Sequence, residues 1–174
     1  MQLGSPTTSA RDHSVKDKHR TMTDRIAVIG GTGALGNALA TRWADSGLDV
    51  VIGSRDRERA LEVAGQMSGT VAAMENREAA AAAQVVVLTV PFSSHAATIE
   101  SIKNELGDKL LVDTTVPLVP PRVAVVQLPD AGSAAVAAQQ LVGESVRVTS
   151  AFHNVAATKV CTAVRLQIRQ RPRR

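Results

Sequence analysis

Apolar positions along this chain follow two alternating rhythms. Short runs rich in Val, Ile and Leu at residues 25–30, 49–53, 85–90, 110–113 and 146–150 read as strands, with a weaker one at 70–74. Between them, residues 34–46, 57–67, 77–83, 95–106 and 133–142 carry the three-and-four spacing of helices. Pro117, Pro120 and Pro121 forbid regular structure after the fifth run. The alanine run within 77–83 expresses helix propensity and packing and carries no chemistry. Strands alternating with helices, and apolar on both sides, predict an α/β fold with a doubly wound parallel sheet.

Residues 1–23 show no apolar period and are rich in Ser, Thr, charge and breakers. They are expected to form a disordered N-terminal extension, with Met22 an alternative translation start. The ordered domain is expected to span 24–160, followed by a basic tail at 161–174.

Composition narrows this picture. Of 174 residues, 44% are apolar but only 2% aromatic, so the core must be built from Ala, Val, Leu and Ile. The net charge of +4 resides in the ends: residues 1–23 hold four basic and two acidic groups, and 161–174 hold five arginines and no acid. The body between them holds 11 basic and 14 acidic groups, which argues against nucleic acid as a partner. Cys161 is the only cysteine, so neither an internal disulfide nor a cysteine cluster for a metal can form. No apolar stretch approaches the ~20 residues of a membrane span, and no signal peptide is evident, so a cytoplasmic protein without membrane attachment is expected.

The candidate chemistry begins after the first strand. Gly31, Gly33 and Gly36 fit the G-x-G-x-x-G spacing of a Rossmann-like turn: the first for the tight turn, the second for backbone approach to phosphates, the third for helix-on-strand packing. The next helix would aim its N-terminal amides at a pyrophosphate. An NAD site places an acid at the end of the second strand, whereas this strand ends Val51-Ile52-Gly53-Ser54-Arg55. A hydroxyl and a guanidinium can both donate to a 2′-phosphate, and Arg59 follows one helical turn later, so NADP(H) is expected over NAD(H). Arg57 is read as part of a solvated helix start. In such sheets the reaction lies beyond the strands' carboxyl ends, which puts the nicotinamide near Thr89-Val90-Pro91-Phe92. His153 sits at another strand end, where an imidazole could donate to a developing anion. Asp113 is expected to accept hydrogen bonds from the Thr114-Thr115 turn.

Residues 30–36, Gly53-Ser54-Arg55, Leu88-Thr89-Val90-Pro91, residues 113–117, Gly132-Ser133-Ala134-Ala135 and Ala151-Phe152-His153-Asn154 together resemble the NADPH-dependent coenzyme F420 reductase family. The resemblance runs in order from about residue 25 to 159. It implies hydride transfer between NADP(H) and the deazaflavin ring of coenzyme F420. It further implies phosphate contacts at Thr32, Gly33, Ala34, Leu35, Ser54, Arg55 and Arg59, a nicotinamide and deazaflavin cleft along Thr89, Val90, Pro91 and Phe92, and Ala157 at the far wall. Catalysis would then be alignment of two cofactors, with small molecules as the partners.

After Lys159 the resemblance stops, so a C-terminally truncated fold is expected, ending in an arginine tail such as a shifted reading frame or a damaged gene produces. A homodimer is expected only if the missing part is not needed to build it. The alternative to the reductase is a catalytically incompetent NADP-binding remnant or redox-sensing module. A reductase of related architecture acting on an imine or a β-hydroxyacid would need an added helical domain and a catalytic lysine.

Overall fold

The computed structural model describes residues 25–69, 71–122 and 125–161. The N-terminal extension and the tail beyond Cys161 lie outside them, as does Thr70 at the start of the weak strand. Six strands form one sheet: β1 (Ile26–Ile29), β2 (Val50–Ser54), β3 (Val71–Glu75), β4 (Val85–Leu88), β5 (Leu110–Asp113) and β6 (Arg147–Ser150), in the order β3-β2-β1-β4-β5-β6. Every pairing is parallel, with Ile26 opposite both Val50 and Val85, and Leu110 opposite Arg147.

Side chains alternate along each strand, which divides the core between two faces. Ala27, Ile29, Val51, Val86, Leu88 and Leu111 pack against α3 (Asn76–Ala81), α4 (Phe92–Ile102) and α5 (Ala134–Val142). Val28, Val50, Ile52, Val87 and Val112 face α1 (Ala34–Asp45), α2 (Arg57–Gly65) and α6 (Ala157–Cys161). The largest fully buried side chains are all aliphatic, as the shortage of aromatics requires.

Two elements depart from the sequence reading. Helix α4 begins at Phe92 rather than at residue 95, because Pro91 has the extended backbone of an N-cap and the Ser94 amide donates to its carbonyl. A short α6 forms where no element is expected; Val160 docks it on α1, a tertiary contact that local pattern does not encode.

This topology positions the site. From β1 the chain crosses to α1 on one face, and from β4 to α4 on the other. Adjacent strands whose connections diverge leave a crevice at their carboxyl ends.

Candidate nucleotide-binding cleft

A cleft of about 500 Å³ opens at that divergence, within the range of small-molecule sites. One wall is the turn after β1, contributed by Gly30, Thr32 and Gly33. Here the structure corrects the sequence reading. The left-handed residue that makes the tight turn is Gly30, at φ +80°, and not Gly31. A Cβ on Gly31 would instead come within 2.7 Å of the Ile52 Cβ, so its bareness lets the turn lie on β2. The amides of Gly30 and Gly31 both donate to the Gly53 carbonyl, at 3.0 and 3.1 Å. Gly36 serves close approach: a Cβ there would stand 2.5 Å from the Thr89 hydroxyl and 2.7 Å from the Gly30 carbonyl.

Gly33 is the N-cap of α1 and, lacking a side chain, caps nothing; the first intrahelical bond runs from the Asn37 amide to the Gly33 carbonyl. The amides of Ala34, Leu35 and Gly36 are therefore left to an external acceptor at the positive end of the helix dipole. Among the described residues Thr32 has no hydrogen-bond partner for its amide or its hydroxyl. The next helix is built oppositely, since the Asp56 carboxylate caps α2 by accepting from the Arg59 amide at 3.1 Å.

The second wall is the end of β2 and the start of α2: Ser54, Arg55, Asp56 and Arg59. Ser54 is buried, and its hydroxyl accepts from the Asp56 amide at 3.1 Å. Arg55 and Arg59 are exposed and, among the described residues, form no ion pair. Arg57 lies outside the lining and is bound to Glu78 of α3 at 3.1 Å, so two of the three arginines remain for an anion.

The third wall is Thr89, Val90 and Pro91 with Ser94 and Thr98 of α4. Thr89 closes the β1–β4 junction, its hydroxyl donating to the Ile29 carbonyl at 2.8 Å. Thr114 repeats the device one strand over, donating to the Leu88 carbonyl at 2.8 Å. Behind this wall lies a buried pair that sequence reading missed, with His95 Nε2 2.9 Å from Asp113 Oδ2. The other carboxylate oxygen accepts from the Thr115 amide at 2.9 Å, the turn contact expected of Asp113. Burial pushes the Asp113 carboxyl up, but the bonds from His95 and Thr115 outweigh it and hold it below the usual carboxylate range. Since Asp113 is ionised, Nε2 of His95 carries the proton that it donates. This bond ties the first turn of α4 to β5, and Phe92 stacks on the His95 ring with centroids 6.0 Å apart.

Asn76 completes the lining and was also missed. It is buried, and among the described residues its Oδ1 has no hydrogen-bond partner. Leaving such an acceptor unpaired costs about 1–3 kcal/mol.

Of the expected site residues, the structure brings Thr32, Gly33, Ser54, Arg55, Arg59, Thr89, Val90 and Pro91 to one cleft. Ala34, Leu35 and Gly36 form the helical turn directly behind Gly33, and Gly31 and Phe92 flank the lining residues. Two lie elsewhere. Ala157 is the first residue of α6, the helix packed on α1, and His153 is exposed on the turn after β6. The preceding Phe152 has a φ of +64°, a strained conformation for an aromatic residue, and meets the Trp43 ring edge-on at 6.0 Å.

A sheet of this order, with an uncapped glycine turn at the switch point and two unpaired arginines beyond the second strand, defines a Rossmann domain of the nucleotide-binding class. Among the described residues no helix is long and apolar enough to cross a membrane, and no group of three acidic, His or Cys side chains is placed to hold a metal. Residues 25–117 match the family model "NADP oxidoreductase coenzyme F420-dependent", and the chain belongs to that family. It is 41% identical over 150 residues to an F420-dependent NADP reductase of Methanothermobacter thermautotrophicus, covering 80% of this chain and 65% of that one. A namesake from Methanocaldococcus jannaschii is 35% identical over 143 residues, covering 75% and 63%. Among solved structures, one from Arthrobacter sp. FB24, assigned as an F420-dependent NADP reductase, superposes with a TM-score of 0.67 at 26% identity, over 76% of this chain and 64% of that one. The chain thus spans just under two thirds of the length of these relatives.

Proposed function

We propose that this chain binds NADP(H) across the cleft and serves as an oxidoreductase that passes a hydride between NADP(H) and coenzyme F420. The observation that carries the reading is the pairing of an uncapped, amide-rich glycine turn with the guanidinium groups of Arg55 and Arg59, unpaired among the described residues, at the end of β2 and the start of α2. A pyrophosphate suits the first, and the second suits a phosphate on the adenosine ribose. Asp56, the one acid among the described lining residues, has its carboxylate engaged by the Arg59 amide, which lessens its repulsion of that phosphate.

The cofactors supply the chemistry, a two-electron hydride transfer between nicotinamide and deazaflavin rings. The protein's task is alignment. Thr32 and the first turn of α1 hold the pyrophosphate, Ser54, Arg55 and Arg59 hold the 2′-phosphate, and Thr89, Val90, Pro91 and Phe92 set the position of the nicotinamide. The Thr89 hydroxyl is engaged by the Ile29 carbonyl and the His95–Asp113 pair is buried behind the wall, so this segment is firmly anchored. Held in register, the reacting rings need no acid–base pair. His153 is proposed as a donor to the reduced deazaflavin from its exposed turn, and Ala157 as the far wall. The single cysteine and the absence of a long apolar helix among the described residues suit a cytoplasmic setting.

Calorimetry with NADPH followed by F420, together with the absorbance of oxidised deazaflavin, tests this reading. NADPH is expected to bind, F420 to bind after it, and the deazaflavin absorbance to fall. His153→Ala, run alongside, should slow the fall without weakening NADPH. If NADPH binds and the absorbance stays constant at every F420 concentration, the hydride-transfer assignment is wrong and a nucleotide-binding module remains.

A further inference from the structure

We propose that the Asn76 amide recognises the adenosine half of the nucleotide, its carbonyl oxygen accepting a hydrogen bond from the adenine amine or a ribose hydroxyl. The inference rests on the nucleotide reading above but concerns a residue that the glycine turn and the arginines do not explain. Asn76 follows β3 immediately, and in the sheet register its neighbour Glu75 lies opposite Ser54. It therefore stands beside the end of β2 that carries the arginines, and it lines the same cleft.

Apart from Arg55, Arg59 and Ser94, the other polar side chains of the second and third walls have partners within the protein. The Thr89 hydroxyl donates to the Ile29 carbonyl, the Asp56 carboxylate accepts from the Arg59 amide, and the Ser54 hydroxyl accepts from the Asp56 amide, which leaves its proton for a phosphate. Asn76 is 9% exposed, and its Oδ1 is the one buried side-chain nitrogen or oxygen among the described residues without a partner. Space is reserved for it as well, because a Cβ on Gly53 would lie 3.0 Å from that oxygen. An acceptor kept unsatisfied at the edge of a cleft points to a donor arriving with the ligand. The amide is neutral, so its contribution should be the same with or without a 2′-phosphate, unlike that of Arg55.

The test uses the full chain and four probes: adenosine 2′,5′-bisphosphate, its inosine counterpart in which a carbonyl replaces the amine, its 3′-deoxy counterpart, and adenosine 5′-phosphate. Asn76→Ala should bind the bisphosphate and the monophosphate each about tenfold more weakly. Its unliganded melting temperature should be unchanged or raised, since an orphaned acceptor has been removed. If the adenine amine is the donor, the wild type will prefer adenosine to inosine and Asn76→Ala will not; if a ribose hydroxyl is the donor, the same loss will appear against the 3′-deoxy probe. Wild-type affinity in Asn76→Ala, with Arg55→Ala still weakened for the bisphosphate, overturns this inference alone. So does a lowered unliganded melt with the probe preferences intact, which is the mark of a purely structural residue. Failure of the wild type to bind any of the probes overturns the nucleotide reading and this inference with it.

Discussion

The residue that most separates folding from chemistry is Asp113, buried behind the nicotinamide wall with His95 and Thr115 as its donors. Its ionised form is favoured in the folded state, so its folded pKa is depressed and it contributes stability above its unfolded value, about 3.9. That contribution is lost as pH falls through the lower folded value. Asp113→Asn removes the charge and leaves the imidazole facing an amide, and should cost on the order of 3 kcal/mol near neutral pH, as breaking a buried pair does. Denaturant unfolding of both proteins from pH 7 to pH 2 checks this: the gap should hold down to about pH 4 and narrow below it. A gap that is constant across the range would mean that the carboxylate's charge is not what the site uses. Neither His95 nor its partnership could be read from the chain, because the two residues are 18 positions apart and meet only when α4 crosses back to β5. Ser54, Arg55 and the glycine spacing were legible for the opposite reason. The glycines keep a fixed spacing within six residues and Ser54 bonds the amide two positions on, all at strand–helix junctions that the apolar pattern marks, although the close approaches of the glycines to Ile52 and Thr89 are made across the sheet.

At the scale of elements, the strands were legible because both sheet faces are covered and each buried strand becomes a continuous aliphatic run. Helix ends were less so: Pro91 decides where α4 begins, and contact with α1 decides that α6 exists. The junction between α1 and the sheet yields a prediction in which two rules conflict. Helix propensity alone would make Gly36→Ala stabilising by about 1 kcal/mol. The added methyl, however, would sit 2.5 Å from the Thr89 hydroxyl and 2.7 Å from the Gly30 carbonyl, and the second of these is backbone that cannot turn aside. Overpacking of this kind costs about 1–3 kcal/mol and also displaces the turn that faces the cleft. Sterics should win. Thermal unfolding of Gly36→Ala should show a net loss of stability, with NADPH binding weakened; a variant more stable than the wild type would show that α1 can lift from β4 without cost.

For the whole molecule, the cleft joins parts that the fold otherwise links mainly through the sheet. Its lining comes from the carboxyl ends of β1, β2 and β4 and from helices on both faces. A ligand spanning it adds contacts between these parts that the unfolded chain cannot make, so binding raises the stability of the entire domain by mass action. With NADPH at one hundred times its dissociation constant the gain is about 2.7 kcal/mol. For a domain of this size that is roughly 5–11 °C in melting temperature, at about 2–4 °C per kcal/mol. NADH lacks the phosphate that Arg55 and Arg59 would hold. If their charge-assisted bonds are worth about 1.5–3 kcal/mol, NADH at the same concentration should stabilise by at most about 1.3 kcal/mol. Arg55→Ala should bring the NADPH shift down towards that of NADH and leave the NADH shift as it was. Melting curves of the two proteins with each nucleotide check both statements. Equal shifts for NADPH and NADH in the wild type would sink the 2′-phosphate assignment. Unequal shifts that survive in Arg55→Ala and vanish in Arg59→Ala would move the assignment to the second arginine.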